Sequence, residues 1–331
     1  MPQQTEKNLR AGMLLLVLLL LAACAAPPLR NAHQTLPLAY VAADDASLAA
    51  RYAPIVIPAN QRAYNRLGTP TARPARQGKE QIRVDPARPA IYVRQRSFLV
   101  GQTRYTNLIN RLHFQQVPYV HLTSGKNGGL LVVITLDPAG RPLLITTVHT
   151  CGCYLAFIPT SYLPATAYPA GWNRERQRVF GIQLPGMLQY PAVFTPALRP
   201  LILLRDATHR VQDVRLASQA TLAGYQLVQA PLRPVTDLEH LPLPDGGETS
   251  FFHDRGFSRG YVKNAFKPFE FLLMSWWVLD LHVGVDKRYG ERHASGSVFY
   301  TSLWPWYRSA SDMWDFAAFL RFWGWELRTE D

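Results

Sequence analysis

Cysteine and several familiar catalytic motifs are scarce in this chain. Its 331 residues include 3 cysteines and no paired Cys-x-x-Cys set of the kind that marks a strong metal or redox site. The glycine-rich loop at residues 125–129 lacks the Gly-Lys-Ser/Thr ending of a P-loop, which excludes that phosphate site. Residues 294–298 come near to Gly-x-Ser-x-Gly but lack its flanking pattern, which excludes a serine-nucleophile elbow.

Charge is also scarce, and its distribution limits the classes of partner. Charged residues make up 18% of the chain, a low fraction that argues against long disordered segments. The formal net charge is +12, but the basic residues are scattered without a dense run. We therefore expect no nucleic-acid partner, and we interpret the charge either as a solvated basic surface or as a surface that faces anionic lipid.

What the chain has in quantity is apolar sequence. Hydrophobic residues make up 48% of it, which is enough for the core of one large domain or two small ones. We find no internal repeat. We divide the chain into a targeting segment at residues 1–23, a tether at 24–52 and a single domain at 53–331, with a soft boundary near residues 235–250.

The first residues have the form of a bacterial export signal. Lys7 and Arg10 precede the apolar run Met13–Leu21, which is too short to span a bilayer as a helix. The run ends in Leu21-Ala22-Ala23-Cys24, which resembles the lipobox of bacterial lipoprotein precursors. The resemblance implies that Cys24 becomes the first mature residue and carries acyl chains that anchor the protein. Because Ala and not Asp follows Cys24, it also implies the outer membrane of a diderm bacterium, on its periplasmic face.

The strongest structural pattern lies at Gly129–Pro159. Two runs rich in Val, Ile, Leu and Thr flank Asp137-Pro138-Ala139-Gly140, whose residue types suit a tight turn. The pattern predicts a β-hairpin that is apolar on both faces and therefore covered on both sides. Two further hairpins are predicted at residues 90–114 and 200–214, so the sheet should be largely antiparallel.

The C-terminal part changes in character. Six of the eight tryptophans lie between Trp276 and Trp323, and Pro268–Val283 is apolar nearly all round. We interpret Pro268–Val283 as a buried helix, because Glu270, Asp280 and His282 interrupt it as a membrane span.

A second, amphipathic helix is predicted over Ser311–Trp323, with the stripe Phe316, Phe319, Leu320 and Trp323 facing inward. Together these patterns predict an α+β fold, in which an aromatic-rich helical C-terminal part packs on a sheet of hairpins.

One string carries unusual chemistry, namely His149-Thr150-Cys151-Gly152-Cys153. In a regular strand the Cα atoms of Cys151 and Cys153 would lie about 6.6 Å apart, and their Cβ atoms would be too distant for a disulfide. Two sulfurs on one metal ion must also lie within roughly 4.6 Å of each other. Either chemistry requires a bend at Gly152, and glycine is the residue that permits one.

Three interpretations of this string stay open. The first is a strained, redox-active Cys151–Cys153 disulfide. The second is a soft-metal site for Zn(II) or Cu(I), formed by His149 and the two cysteines. A fourth ligand would come from elsewhere, with candidates at His113, His121 and His253. The third is a pair of buried small side chains, or an inert disulfide, in a covered sheet.

The sequence therefore leaves three functional hypotheses. The first is a non-catalytic envelope lipoprotein that binds a partner protein or a ligand through its aromatic C-terminal region. The second is a thiol-redox or metal protein centred on His149, Cys151 and Cys153. The third is a Cys- or His-dependent hydrolase, which would need a histidine brought to a cysteine by the fold, or His253 oriented by a carboxylate.

Overall fold

A computed structural model describes residues 36–43, 46–73, 80–119 and 121–327. The predicted signal segment and Cys24 lie outside these residues. The predicted tether is too long, because Leu38–Ala42 is a fully buried strand, β1, and Leu48–Tyr52 is a short helix, α1. The partner of β1 lies at residues 226–230, so the local sequence does not reveal that residues 38–42 belong to the body.

The chain continues with short strands and few helices. The remaining strands, in order, are β2 Ile55–Ile57, β3 Thr69–Arg73, β4 Gln81–Asp85, β5 Ile91–Val100, β6 Thr103–His113, β7 Gln116–Val117, β8 Gly125–Lys126, β9 Gly129–Leu136, β10 Pro142–His149, β11 Ala156–Pro159, β12 Arg176–Val179, β13 Ile182–Pro185, β14 Arg199–Leu204, β15 Val211–Ala217, β16 Gln226–Ala230, β17 Leu232–Pro234, β18 Leu241–Pro242 and β19 Glu248–Thr249. The remaining α-helices are α2 Gln219–Leu222, α3 Pro268–Val278, α4 Arg292–Ser295 and α5 Phe316–Phe322.

The architecture is mixed, with 37% strand and 16% helix, and its sheets are mostly antiparallel. Helices are therefore a minor part of the body. A cluster of aromatic residues forms at the C-terminal end, as the tryptophan distribution indicates.

The predicted central hairpin is confirmed as the middle of a six-stranded sheet with the order β11-β10-β9-β6-β5-β17. Strands β9 and β10 pair antiparallel, with Ile134 opposite Ile145, and every residue of both strands is buried. The turn between them is closed by the Gly140 amide, which donates to the Asp137 carbonyl at 3.0 Å. Gly140 has a φ of +80°, a conformation that glycine adopts without strain.

A second, five-stranded sheet has the order β15-β14-β2-β1-β16. It contains the predicted hairpin of β14 and β15, but it also contains parallel pairs, β1 with β16 and β14 with β2. The prediction that the hairpin at residues 200–214 shares one sheet with the central hairpin is therefore wrong. Parallel pairs join segments that are far apart in the chain, and alternation within one segment does not encode them.

The central hairpin is covered on both faces, as its apolar pattern predicts. On one face Val132 and Ile134 pack with Val56 and Ile202 of the second sheet. On the other face Val133 and its neighbours pack against the C-terminal aromatic residues, which include Phe316, Phe319 and Trp325. Burial of each such side chain stabilises the fold by roughly 1.5–3 kcal/mol relative to exposure.

The last helix is shorter than its pattern predicts. Asp315 caps α5 by accepting from the Ala318 amide, so the helix begins at Phe316 and not near Ser311. Phe316, Phe319 and Leu320 are buried, as expected. Trp323 is the residue at the C-cap and is partly exposed, so its predicted inward position is wrong.

Val133 and Ile145 offer a test of the central hairpin. We expect Val133→Asp or Ile145→Asp to lower the free energy of unfolding by several kcal/mol, because each places an unpaired charge in apolar surroundings. Urea unfolding of purified protein measures this loss. The control is Val193→Asp, since Val193 is 81% exposed and should tolerate a carboxylate. Equal unfolding midpoints for Val133→Asp and the control would contradict the buried hairpin.

Candidate functional site

The cysteine string forms a tight loop at the end of β10. The Gly152 amide donates to the His149 carbonyl at 2.7 Å, and the His149 amide donates to the Cys153 carbonyl at 2.9 Å. Gly152 has a φ of +96°, so the predicted bend at this glycine is confirmed. A Cβ atom at Gly152 would lie 2.1 Å from the Tyr300 carbonyl oxygen, so glycine is required by close approach as well as by conformation.

Both cysteines of the loop are free thiols. The Cys153 amide donates to the Cys151 Sγ at 3.4 Å, and the two thiols also share a hydrogen bond. This shared hydrogen bond lowers the pKa of the Cys151 thiol and, together with burial, raises the pKa of the Cys153 thiol well above its ordinary value. Cys151 is buried, whereas Cys153 is partly exposed.

The contacts of the His149 ring are with residues other than the two thiols. Its Nε2 donates to the His209 carbonyl at 3.3 Å, and its ring packs edge-on against Tyr154. Burial lowers the pKa of His149 to about 3, so the imidazole is neutral.

The three accessory histidines are also dispersed. His113 is buried between Tyr92 and Phe251, and its Nε2 accepts from Arg111 at 3.3 Å. His121 lies in the turn at residues 118–124, and the His253 amide donates to the Tyr261 carbonyl. The part of the chain that the structure describes holds no group of three or more His, Cys, Asp or Glu residues placed to bind a metal ion. The metal interpretation of His149, Cys151 and Cys153 is therefore not supported.

The hydrolase hypothesis requires a histidine paired with a cysteine or a carboxylate, and the candidate histidines have other partners. His149, the histidine nearest in sequence to the thiols, is committed to the His209 carbonyl, and Asp254 lies 3.9 Å from Arg255 rather than orienting His253. No nucleophile–base pair of the expected kind is formed by these candidates.

A buried cluster of charged side chains contacts Thr150, which is next to the cysteines of the loop. Lys267 Nζ lies 3.1 Å from Asp286 Oδ2 and 3.9 Å from Glu270 Oε2, and all three side chains are buried. Asp286 Oδ1 accepts from the Gly129 amide at 3.2 Å and from the Thr150 hydroxyl. The cluster therefore joins the start of β9, the end of β10 and the start of α3.

Lys287 is a second buried cation, and it contacts the cysteine loop directly. Its Nζ donates to the Cys151 carbonyl at 2.5 Å and lies 4.2 Å from the centre of the Tyr300 ring. The sequence pattern indicated no role for Lys267 and marked Glu270 only as an interruption of an apolar segment. The available signal was the presence of Lys267 and Glu270 beside a long apolar segment, where an ionic group needs a partner.

Helix α3 is oriented opposite to expectation. It ends at Val278 because Leu279 adopts a left-handed conformation, and only Glu270 and Val278 are buried along it. Five large apolar side chains form its exposed stripe at helical spacing, namely Phe269, Leu272, Leu273, Trp276 and Trp277. The prediction of a buried helix is therefore wrong, because the one acidic residue of the helix faces inward toward Lys267 and these five apolar residues face outward.

The stripe continues across neighbouring segments as a connected row of rings. Successive ring centres lie 5.1–6.3 Å apart along Trp277, Trp304, Trp306, Tyr307, Phe322 and Trp323. We call the exposed part of this surface the aromatic face, and it comprises Phe269, Leu272, Leu273, Trp276, Trp277, Leu279, Leu281, Trp304, Trp306, Tyr307 and Trp323. Such extended apolar surfaces are uncommon on soluble proteins and mark sites of interaction.

A cavity of about 500 Å³ lies between the cysteine loop and the aromatic face. Its walls are mainly apolar and come from the loop, β11, β12, α3 and the segment around residue 301. The residues that line it include Cys153, Arg178, Val179, Glu270, Met274, Leu303 and Trp323.

No family model, curated protein or solved structure matches this chain. Among the described residues, no helix is long and apolar enough to cross a membrane. The cysteine loop, the cavity and the aromatic face are therefore the features that bear on its function.

Gly152 offers a test of how closely the cysteine loop is held. We expect Gly152→Ala to destabilise the protein by several kcal/mol, because the methyl group meets the Tyr300 carbonyl in addition to the strain of a positive φ. The matched control is Gly181→Ala, where φ is +81° but nothing lies within 4 Å of the added atom, so the loss should be about 1–2 kcal/mol. Unfolding midpoints in urea measure both, and equal losses would refute the close approach.

Proposed function

We propose that this protein is an envelope lipoprotein, anchored through Cys24, that lays its aromatic face on the lipid surface of the membrane that holds the anchor. In this proposal the body belongs to the α+β class, and its function is binding and not catalysis. The observation that carries the proposal is that α3 exposes its apolar stripe and buries Glu270.

Because its apolar side faces outward, α3 leaves a large apolar area that the described residues do not cover. Trp276 is 73% exposed and Leu272 is 69% exposed, although both lie beside a buried lysine–carboxylate cluster. Removal of each such side chain from water contributes roughly 1.5–3 kcal/mol. Burial of several of them together would support reversible binding.

The composition of the face favours lipid over a protein partner. It combines tryptophan and tyrosine, whose rings prefer the boundary between headgroups and hydrocarbon, with leucines that insert below that boundary. No exposed carboxylate belongs to the stripe of α3. Arg308 donates to the Leu279 carbonyl at 3.4 Å, which fixes a cation beside the face where an anionic headgroup would lie.

The predicted anchor would keep the body near the bilayer. Extended chain covers about 3.3–3.6 Å per residue, so the segment from Cys24 to Leu38 spans roughly 50 Å at most. The body would stay close to the bilayer that holds its acyl chains, and this proximity makes even weak binding by the aromatic face effective.

Vesicle flotation tests the aromatic face without the acyl anchor. The protein used is the whole mature chain from residue 24 with Cys24→Ser, and the vesicles contain phosphatidylethanolamine and phosphatidylglycerol. We expect the parent to float with the vesicles and the double variant Leu272→Gln/Trp276→Gln to bind at least about tenfold more weakly, since 1.4 kcal/mol is a factor of ten.

The matched control for flotation is Leu99→Gln/Leu227→Gln, which removes exposed leucines outside the aromatic face. This control should bind as the parent does. A parent that does not bind these vesicles, or a face variant that binds equally well, would refute membrane docking. A parent that fails with vesicles but forms a stoichiometric complex with an envelope protein would assign the face to a protein partner instead.

The anchor has its own test in cells of a diderm bacterium. We expect Cys24→Ser in the full precursor to abolish acylation, so that the chain is released from membranes or stays as uncleaved precursor. Membrane fractionation in high salt, followed by mass spectrometry of the N-terminus, measures both outcomes. An acylated Cys24→Ser chain would show that the lipobox interpretation is wrong.

A further inference from the structure

We propose that the cavity between the cysteine loop and the aromatic face binds a single alkyl chain that ends in an anionic head group. A free fatty acid and a lysophospholipid both have this chemistry, and the experiment below separates them. The inference rests on the proposed membrane contact only for the source of its ligand. The binding site itself is argued from the cavity.

The size and walls of the cavity suit a hydrocarbon chain. Its volume of about 500 Å³ falls within the range of roughly 300–1,000 Å³ that is typical of small-molecule sites. Val179, Met274 and Leu303 contribute apolar walls from three separate segments. A flexible methionine in such a wall adapts to a chain of variable shape.

The two charged residues that line the cavity, Glu270 and Arg178, differ in their exposure to solvent. Glu270 lines the cavity but is 3% exposed, and its nearest charged partner is the buried Lys267. Among the described residues that line the cavity, Arg178 is the one basic residue. Its side chain is exposed and forms no ion pair with another described residue. A ligand whose anionic head meets Arg178 would leave its apolar chain for the interior.

The cavity is also continuous with the aromatic face. Trp323 belongs to both, and Met274 lies on α3 between the inward Glu270 and the buried Val278. A lipid chain could therefore pass from the membrane into the cavity along apolar surface, without crossing water. By contrast, a second cleft of about 550 Å³ is lined by polar residues that include Arg83, Gln115 and Lys126, and none of its lining residues belongs to the aromatic face.

Cys153 provides an internal reporter of occupancy. It lines the cavity and is partly exposed, whereas Cys151 is buried. A bound chain should therefore slow the alkylation of Cys153 by N-ethylmaleimide, measured over hours at alkaline pH because the raised pKa of this thiol leaves only a small reactive thiolate fraction. Cys153→Ser removes the signal and identifies the labelled thiol.

The binding experiment uses the whole mature chain with Cys24→Ser and four probes below their micelle concentrations. The probes are oleate, oleoyl-lysophosphatidylglycerol, oleyl alcohol and octanoate. We expect one-to-one binding of oleate or of the lysophospholipid by calorimetry, with protection of Cys153 by the same probe. Binding of only one of the two identifies the head group. Octanoate should bind far more weakly, because it buries fewer methylenes.

Three variants test the placement of the chain and its head. Leu303→Trp and Val179→Trp each fill the cavity from a different segment and should weaken binding by about tenfold or more, while Val193→Trp, at an exposed site, should not. Arg178→Gln should weaken the binding of oleate about two- to fivefold, as for an exposed ion pair, and leave the alcohol unchanged.

The outcomes separate this proposal from the membrane contact. Leu272→Gln/Trp276→Gln should lose vesicle binding but retain the alkyl-chain probe, and the cavity-filling variants should do the reverse. The alkyl-chain site is overturned if none of the long-chain probes binds. It is also overturned if both cavity-filling variants bind like the parent, or if bound oleate leaves Cys153 alkylation unchanged.

Discussion

The buried contact between Lys267 and Asp286 is the interaction on which the arrangement of this end of the molecule depends. Asp286 accepts hydrogen bonds from the Gly129 amide and the Thr150 hydroxyl, so one carboxylate ties together both strands of the central hairpin. Lys267 then joins that carboxylate to the first turn of α3. Ions taken out of water need this degree of satisfaction, because loss of either partner would leave a buried charge and cost about 3–5 kcal/mol.

The same contact explains why α3 presents apolar side chains to solvent. Glu270 follows Lys267 by one turn and lies inward, within 3.9 Å of the Lys267 Nζ. Gly284 leaves room for this carboxylate, since a Cβ atom at position 284 would lie 1.8 Å from Glu270 Oε2. Because Glu270 and Val278 lie inside, the geometry of the helix directs Leu272 and Trp276, on the opposite side, outward. The fold thus stabilises an exposed apolar stripe through ionic contacts that lie beneath it.

The sequence predicted local features well and orientation poorly. The runs rich in Val, Ile, Leu and Thr on both sides of Asp137-Pro138-Ala139-Gly140 specify a hairpin, since both the strands and the turn are encoded within a few residues. The bend at Gly152 was predictable for the same reason. The pairing of β1 with β16 and the facing of α3 depend on partners far along the chain. Whether Glu270 lies inside is decided by Lys267 and Asp286, and a hydrophobic pattern records neither contact.

The positions of the two thiols are consistent with the proposed binding site. A nucleophilic cysteine needs both a lowered pKa and access to its substrate. Here Cys151 has the lowered pKa, because the Cys153 thiol donates to it, but it is 2% exposed. Cys153 reaches the cavity, yet its pKa is raised by the shared hydrogen bond and by burial, so it remains a neutral thiol at physiological pH. A neutral thiol behaves as a small apolar group, which makes Cys153 suited to the wall of an alkyl-chain site.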